Sequence, residues 1–340
     1  MLNFENYIDL PFIWGLVIAT AIFLYSILDG FDLGVGILFP FAPSDKCRDR
    51  MMNSIAPFWD GNETWLVLGG GGLFAAFPLA YAILLPAFYV PITIMLLGLI
   101  MRGVAFEFRF KSGARSKIIW DYVFHFGSVI ATVCQGLILG GFIMGVNVSG
   151  RNFAGGPLDW ASGFSAMTGV ALLSGYSLLG STWLIMKTEG ITQKWSRNVA
   201  AYSLGIVGIF MFLVSVSMTL INPYVQHFWL SAPYIYYLSI LPIVTSILFF
   251  LIWSNLYRTK CDFRPFLYTV CIFTLSFIGL ALSIFPWIIP YKFDIWEAAA
   301  ADTSLSIMLV GVVPALPLIL IYTAYCYYIF RGKTSHKKIY

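Results

Sequence analysis

Val199-Ala-Ala-Tyr-Ser-Leu-Gly-Ile-Val-Gly-Ile-Phe-Met-Phe-Leu-Val-Ser-Val-Ser-Met-Thr-Leu-Ile221 contains no charged residue. A helix of about 20 such residues crosses the ~30 Å hydrocarbon core of a bilayer and satisfies its own backbone polar groups there. Working outward from this run, comparable apolar stretches cover 11–28, 53–77, 79–101, 119–146, 160–186, 199–221, 233–256, 266–289 and 304–330. The expected fold is therefore an all-α polytopic membrane bundle of nine transmembrane helices, with residues 1–340 forming one integral domain. Several runs exceed the minimum length, which implies tilt or protrusion. Residues Gly30–Pro43 are also apolar and are expected to extend the first helix or lie at the interface.

Composition supports this class. Of 340 residues, 59% are hydrophobic and 11% charged, where an average soluble domain is about a quarter charged. The formal charge of +4 points to no nucleic acid. Eighteen of the 20 basic residues fall in one set of alternate connections and the C-terminal tail, the tail holding Arg331, Lys333, Lys337 and Lys338; the other set holds only Arg151 and Lys292. Basic residues mark cytoplasmic loops, so nine spans place the N-terminus in the periplasm and the C-terminus in the cytoplasm. The start MLNFENYIDLP lacks the positive charge of a signal peptide, so the first run is expected to remain as a helix. The cysteines Cys47, Cys134, Cys261, Cys271 and Cys326 form no C-x-x-C pair, and neither a disulfide nor a zinc site is expected.

An ionisable residue at the centre of a span costs about 2.5–3.5 kcal/mol or more, so each needs a reason. The second run begins Asn53-Ser-Ile-Ala-Pro-Phe-Trp59-Asp60-Gly-Asn-Glu63-Thr64-Trp65. On one continuous helix Asp60 would lie about 10 Å along from Asn53, with Glu63 a turn further. Asn53, Asp60, Glu63 and Thr64 would share a single polar face. Pro57 is expected to kink the helix at its start. Two carboxylates one turn apart suit either a proton relay or a structural pair capped by a neighbouring helix. Asp29 and Asp32 end the first run, where the helix dipole disfavours acids, and Arg102 is the expected partner. No oxygen-rich run follows to suggest calcium. The glycines at 69–72 lack a following Lys-Ser/Thr and read as close helix packing rather than a phosphate loop. His125 is the one histidine inside a span and reads as a satisfied core residue; His227 and His336 lie outside the spans.

The same stretch, with Asp29-Gly-Phe-Asp32-Leu-Gly-Val-Gly36, Leu73-Phe-Ala-Ala-Phe-Pro78, Arg102-Gly-Val-Ala-Phe-Glu-Phe-Arg109, Phe285-Pro-Trp-Ile-Ile-Pro290 and Ile321-Tyr-Thr-Ala-Tyr-Cys-Tyr327, closely resembles subunit II of cytochrome bd-type quinol oxidases. The resemblance runs from about residue 11 to about residue 330. It implies an enzyme subunit of a quinol:oxygen oxidoreductase in the bacterial inner membrane. Haem b and haem d would be ligated by a partner subunit I, with quinol as substrate and a small single-span accessory subunit as a further partner. It also implies that Asp60 carries cytoplasmic protons toward the haems, with Asp29 nearer the entrance. Trp59 and Trp65 flank Asp60 and would lie on an oxygen route or near the haems; because the helix dipole disfavours acids at the end of the first run, Asp32 and Arg102 are the expected structural ion pair. Glu63, where many members carry Gln, resembles the cyanide-insensitive branch. The competing class is a proton- or ion-coupled secondary transporter, which should show broken helices with intramembrane acids in both halves.

Overall fold

A computed structural model describes residues 9–258 and 261–334. Lys260, Lys337 and Lys338, which entered the charge reading, and His336 lie outside the described residues. Helices dominate. Among the described residues, eight segments are long and apolar enough to cross a membrane. They are α1 (Leu10–Leu38), α5 (Tyr89–Lys111), α6 (Ala114–Met144), α7 (Gly163–Lys187), α8 (Gly190–Ile221), α10 with α11 (Tyr234–Leu238, Ile240–Leu256), α12 (Arg264–Ile284) and α13 (Asp302–Ile329). The remaining helices are α2 (Asp45–Ile55), α3 (Trp59–Ala76), α4 (Pro78–Ala87) and α9 (Pro223–Leu230).

Helix α1 is started by Asp9, whose side chain accepts from the Phe12 amide at 3.1 Å. It continues past Leu28, the boundary expected from hydropathy, to Leu38. Tertiary contact explains the extension. A Cβ on Gly34 would stand 1.9 Å from the Tyr176 carbonyl oxygen, and one on Gly180 2.4 Å from the Gly34 carbonyl carbon. Glycine at both positions lets the backbones of α1 and α7 touch, which carries the Asp-Gly-Phe-Asp segment into the core. Phe31 stacks on Trp183 with ring centroids 4.0 Å apart, at the centre of the larger hydrophobic core.

The run at 53–77 is not one helix. Residues 56–58 form a turn, in which the Phe58 amide donates to Ile55 at 2.9 Å. Proline supplies no donor and disfavours helix in the residue before it, so Pro57 interrupts the helix rather than kinking it. Asn53 therefore lies in the last turn of α2, and Asp60 is the second residue of α3. The expected span at 79–101 is also displaced. Phe77 leaves the helical region (φ −131°, ψ 65°), and Pro78 starts the separate α4. The long helix begins only at Tyr89. This stretch is apolar throughout, so hydropathy could not place its breaks. The span expected at 266–289 ends at Ile284, and Trp287–Ile289 (β3) instead pairs with Phe293–Asp294 (β4). A second hairpin joins Val148–Ser149 (β1) to Asn152–Phe153 (β2). Helix α4 packs against β2 and β3, which places both hairpins at the end of the bundle opposite the basic loops.

Two polar staples close the basic end. Buried Arg109 of α5 binds Asp121 of α6 and, at 2.8 Å, Asp49 of α2; Lys117 also reaches Asp49 at 2.8 Å, and Arg48 reaches Asp121 at 3.1 Å. Partial burial opposes ionisation of Asp49, but hydrogen bonds from Lys117 and Arg109 outweigh it and hold the carboxyl below its ordinary range. The second staple fastens the segment after α13. Lys187 donates to the carbonyls of Phe330 and Gly332, Lys333 binds Asp262, and Arg197 binds Asp262 at 2.6 Å. Apart from its ends, α13 is largely uncovered: Ile307 is 74% exposed and Val310 76%.

Candidate functional site

Four charged side chains from three helices meet inside the bundle near its basic end. Asp29 and Asp32, both 0% exposed, project from α1, and Arg102, 1% exposed, from α5. Arg102 Nη1 binds Asp29 Oδ1 at 2.6 Å, and Nη2 lies 2.8 Å from Oε1 of Glu63 on α3. One guanidinium thus joins a fully buried carboxyl to a half-buried one. Asp32 takes a different partner from the one expected. Its Oδ2 accepts from Asn62 Nδ2 at 2.7 Å, and Asn62 also donates to the Leu28 carbonyl at 3.1 Å. The expected Asp32–Arg102 pair is therefore replaced by Asp29–Arg102, while Asn62 of α3 reaches across to Asp32. Tyr327 of α13 donates to Asn62 Oδ1 at 3.0 Å and ties a fourth helix to the site.

The charges do not balance. Three carboxyl groups share one guanidinium, and full ionisation would leave two buried negative charges uncompensated. Desolvated charges are costly unless paired, so binding protons is the cheaper way to neutralise the cluster. Arg102 donates hydrogen bonds but cannot give up a proton, since a guanidinium stays charged. Its role is to fix the two carboxyls on either side of it.

The structure separates residues that the sequence reading placed together. Asp29, Asp32, Glu63 and Arg102 converge; Asp60 does not join them. Asp60 and Thr64 are exposed on α3, on a line continued by Val67 (74% exposed) and Phe74 (61%). Asp60 sits in the first turn of α3, where the helix dipole favours a carboxylate. Asn53 lies on α2 and is buried, so the four-residue polar face of a single helix is not formed. Trp59 and Trp65 point to different neighbours. Trp59 is half-buried and packs 5.0 Å from Phe106, while Trp65 is 2% exposed and lies with Tyr25 and Ala21. The glycine run divides likewise: a Cβ on Gly69 or Gly72 would meet Ile22 or Ile18 of α1, whereas Gly70 and Gly71 face open space.

Above the cluster lies a polar string that sequence reading missed. Gln135 Nε2 of α6 donates to the Tyr25 hydroxyl at 2.8 Å, and the Tyr176 hydroxyl of α7 donates to Gln135 Oε1 at 2.9 Å. Asn62 and Tyr327 were missed as well, although both stand within quoted motifs. The available signals were weak: a glutamine inside an apolar run, and a tyrosine four residues before Asp29 on the same helix face. Among the described residues of α7 to α13 no carboxyl is buried, so the second acidic site expected of a transporter does not appear there.

Such a bundle, with many apolar helices and a buried charged cluster enclosed by four of them, is a multi-pass integral membrane protein. The model for the family "cytochrome bd terminal oxidase subunit II" matches residues 10–330, and the chain belongs to that family. It is 29% identical over 335 residues to cytochrome bd ubiquinol oxidase subunit 2 of Bacillus subtilis, covering 96% of this chain and 97% of the relative. It is 27% identical over 376 residues to cytochrome bd-I ubiquinol oxidase subunit 2 of Escherichia coli strain K12, covering 98% and 97%. In fold it is similar to a chain of the bd oxidase structure from Geobacillus thermodenitrificans, with a TM-score of 0.69 at 15% identity, over 94% of this chain and 98% of that one.

The family implies haem in the assembled enzyme, and the described residues of this chain do not fit haem ligation. His125 Nδ1 meets the Gly36 carbonyl at 3.3 Å, and its ring packs edge-on to Phe41 and Phe126. His227 is exposed on the short helix α9. The two do not form a pair facing a common cavity.

Proposed function

We propose that this chain is the second subunit of a bacterial inner-membrane terminal oxidase that couples quinol oxidation to reduction of oxygen to water, with haem b and haem d held by its partner subunit. Counting α3 as a further crossing brings the membrane helices to nine, with the N-terminal end periplasmic and the basic end cytoplasmic. In this reading the chain contributes a scaffold and a route for cytoplasmic protons.

The observation that carries the proposal is the bridge from Asp29 through Arg102 to Glu63, with Asp60 one turn away on the open face of α3. Asp29 and Asp32 accept protons inside the chain, Arg102 holds Glu63 in register, and Glu63 and Asp60 hand protons to the face that a partner covers. Asp60 lies in the first turn of α3, where a polar partner surface would suit an exposed carboxylate better than lipid would. Glu63 in place of an amide adds a proton-binding group to this route and supports placing the chain in the cyanide-insensitive branch.

The test is Asp60→Asn and Glu63→Gln in the purified complex. With haem content unchanged, quinol-driven oxygen consumption should fall at least tenfold for Asp60→Asn and less for Glu63→Gln. Normal turnover in both variants at full haem content would reject the proton route.

A further inference from the structure

Asp32 is the acid of the cluster that pairs with no cation. Arg102 engages Asp29 through Nη1 and Glu63 through Nη2. Among the described residues Asp32 is held instead by an amide. Its Oδ2 accepts from Asn62 Nδ2 at 2.7 Å, and its Oδ1 is buried without a hydrogen-bond partner.

The orientation of Asn62 follows from the donor inventory. An amide nitrogen carries two hydrogens, and a backbone carbonyl can only accept. Nδ2 gives one hydrogen to the Leu28 carbonyl at 3.1 Å and the other to Asp32, so the nitrogen end of the amide faces α1. The oxygen end faces α13, where the Tyr327 hydroxyl donates to Oδ1 at 3.0 Å. A flipped amide would set oxygen against oxygen at Leu28 and Asp32 and leave the tyrosine without an acceptor. With Oδ2 of Asp32 accepting from the amide, a proton on this carboxyl belongs on Oδ1.

Tyr327 is itself fixed from the basic end of the bundle. Its neighbours Tyr325 and Tyr328 are 59% and 62% exposed, while the Tyr327 ring turns inward and stacks on Phe58 with centroids 4.3 Å apart. Lys187, buried at the end of α7, lies 5.3 Å from the centre of that same Phe58 ring and 5.2 Å from that of Trp183. Its ammonium donates to the carbonyls of Phe330 and, at 3.2 Å, Gly332. The last carbonyls of a helix lack intrahelical partners and sit at the negative end of its dipole. A cation placed there clasps the end of α13, one turn beyond Tyr327.

We propose that Asn62 and Tyr327 are positioning residues for Asp32, reserving Oδ2 for the amide and Oδ1 for a proton, and that Lys187 sets them in place by clasping the end of α13. The inference rests on the proton-route reading of the cluster. The charged and titratable groups around Asp32 are Asp29 one turn earlier on α1, Arg102 of α5 bound to Asp29, Glu63 of α3 next to Asn62, and Tyr327 of α13. Helix α7 brings Tyr176 against Gly30 and Trp183 against Phe31, and α12 brings Phe266 against Phe31.

The test follows the infrared absorption of protonated carboxyl groups against pH in the assembled oxidase, for wild type, Asp32→Asn, Asn62→Leu, Tyr327→Phe and Lys187→Met. The band lost in Asp32→Asn belongs to Asp32. A hydrogen bond to an ionised acceptor is about twice as strong as one to a neutral acceptor, so loss of the amide donor favours the protonated form. In Asn62→Leu the Asp32 band should titrate about half to one pH unit higher, a three- to tenfold gain in proton affinity, and its C=O stretch should rise in frequency. Tyr327→Phe and Lys187→Met should move both quantities in the same direction by less. A purely structural role would lower thermal stability and leave the band and its midpoint in place. An Asp32 band unmoved in Asn62→Leu overturns the positioning role, as does the absence of any band lost in Asp32→Asn. The proton-route reading is judged separately, by turnover of Asp60→Asn and Glu63→Gln, and normal turnover in both removes the basis of the inference. Should Asp32→Asn or Asn62→Leu not assemble, an unchanged carboxyl spectrum in assembled Tyr327→Phe and Lys187→Met overturns the proposal equally.

Discussion

Replacing Arg102 by Met removes the guanidinium that the buried acids of the site share. Asp29, 0% exposed, would then face Glu63 and Asp32 with no counter-charge. Removing one partner of a buried ion pair costs about 3–5 kcal/mol, because the remaining charge stays desolvated. Asp29→Asn should cost less, since Arg102 keeps Glu63 at 2.8 Å. The double variant Arg102→Met/Asp29→Asn removes both halves of the closest pair. It should recover about 2–3 kcal/mol relative to the sum of the single changes, the coupling expected of residues in direct contact. The assay is the thermal midpoint of the purified complex for wild type, both singles and the double. At about 2 °C per kcal/mol for a chain of this size, Arg102→Met should lower the midpoint by about 6–10 °C, and the double variant should melt above the additive expectation by about 4–6 °C. Additivity to within about 1 °C would refute the ion pair as the organising contact of the cluster.

Two further outcomes follow from the packing. Gly34→Ala should prevent α1 and α7 from touching, because its Cβ would stand 1.9 Å from a backbone carbonyl, whereas Gly205→Ala has no atom within 4 Å; the first should lose most assembled complex in membranes and the second none, as read by haem per milligram. Asp262 anchors the C-terminal segment. Burial opposes its ionisation, but Lys333, Gln193 and Arg197 outweigh that and hold its carboxyl below the ordinary range. Its stabilisation is therefore full above the unfolded value of about 3.9 and is lost as pH falls through the lower folded value. Asp262→Asn should release the tail at neutral pH, seen as faster tryptic cleavage after Arg331 or Lys333, while wild type resists cleavage at neutral pH.

The long helices were legible because each lies in an apolar run that only a membrane segment explains. Their ends were not, where prolines and aromatics break a stretch of unbroken hydrophobicity: Pro57, Pro78 and the segment from Phe285 to Ile289 redirect the chain without changing its polarity. Arg102 could be named from sequence as partner of the acidic pair on α1, since a buried charge demands a counter-charge, but not which of Asp29 and Asp32 it takes. Asn62, Tyr25, Gln135 and Tyr176 could not, because an amide or phenol inside a span is affordable and does not stand out. Asn62 decides the arrangement even so, by taking Asp32 and leaving Arg102 for Asp29 and Glu63.

Helical spacing shows which residues share a face but not what that face meets, and Asp60 illustrates the difference. It shares one side of α3 with Glu63 and Thr64, as the spacing requires, yet that side turns from the Arg102 cluster at Glu63 to the exterior at Asp60. Val67, Gly70, Gly71 and Phe74 continue the exterior side, and α13 beside it is nearly bare. The helix dipole already accounts for a carboxylate in the first turn of α3, but a lipid-facing helix has no use for adjacent glycines with nothing against them. A second protein surface explains the glycines by admitting a close backbone, and it would give the acid a polar neighbour. The proton route we propose for this chain is then half a route. Its interior end is built from Asp29, Arg102 and Glu63, and its exterior end at Asp60 acquires meaning only when the partner subunit is in place.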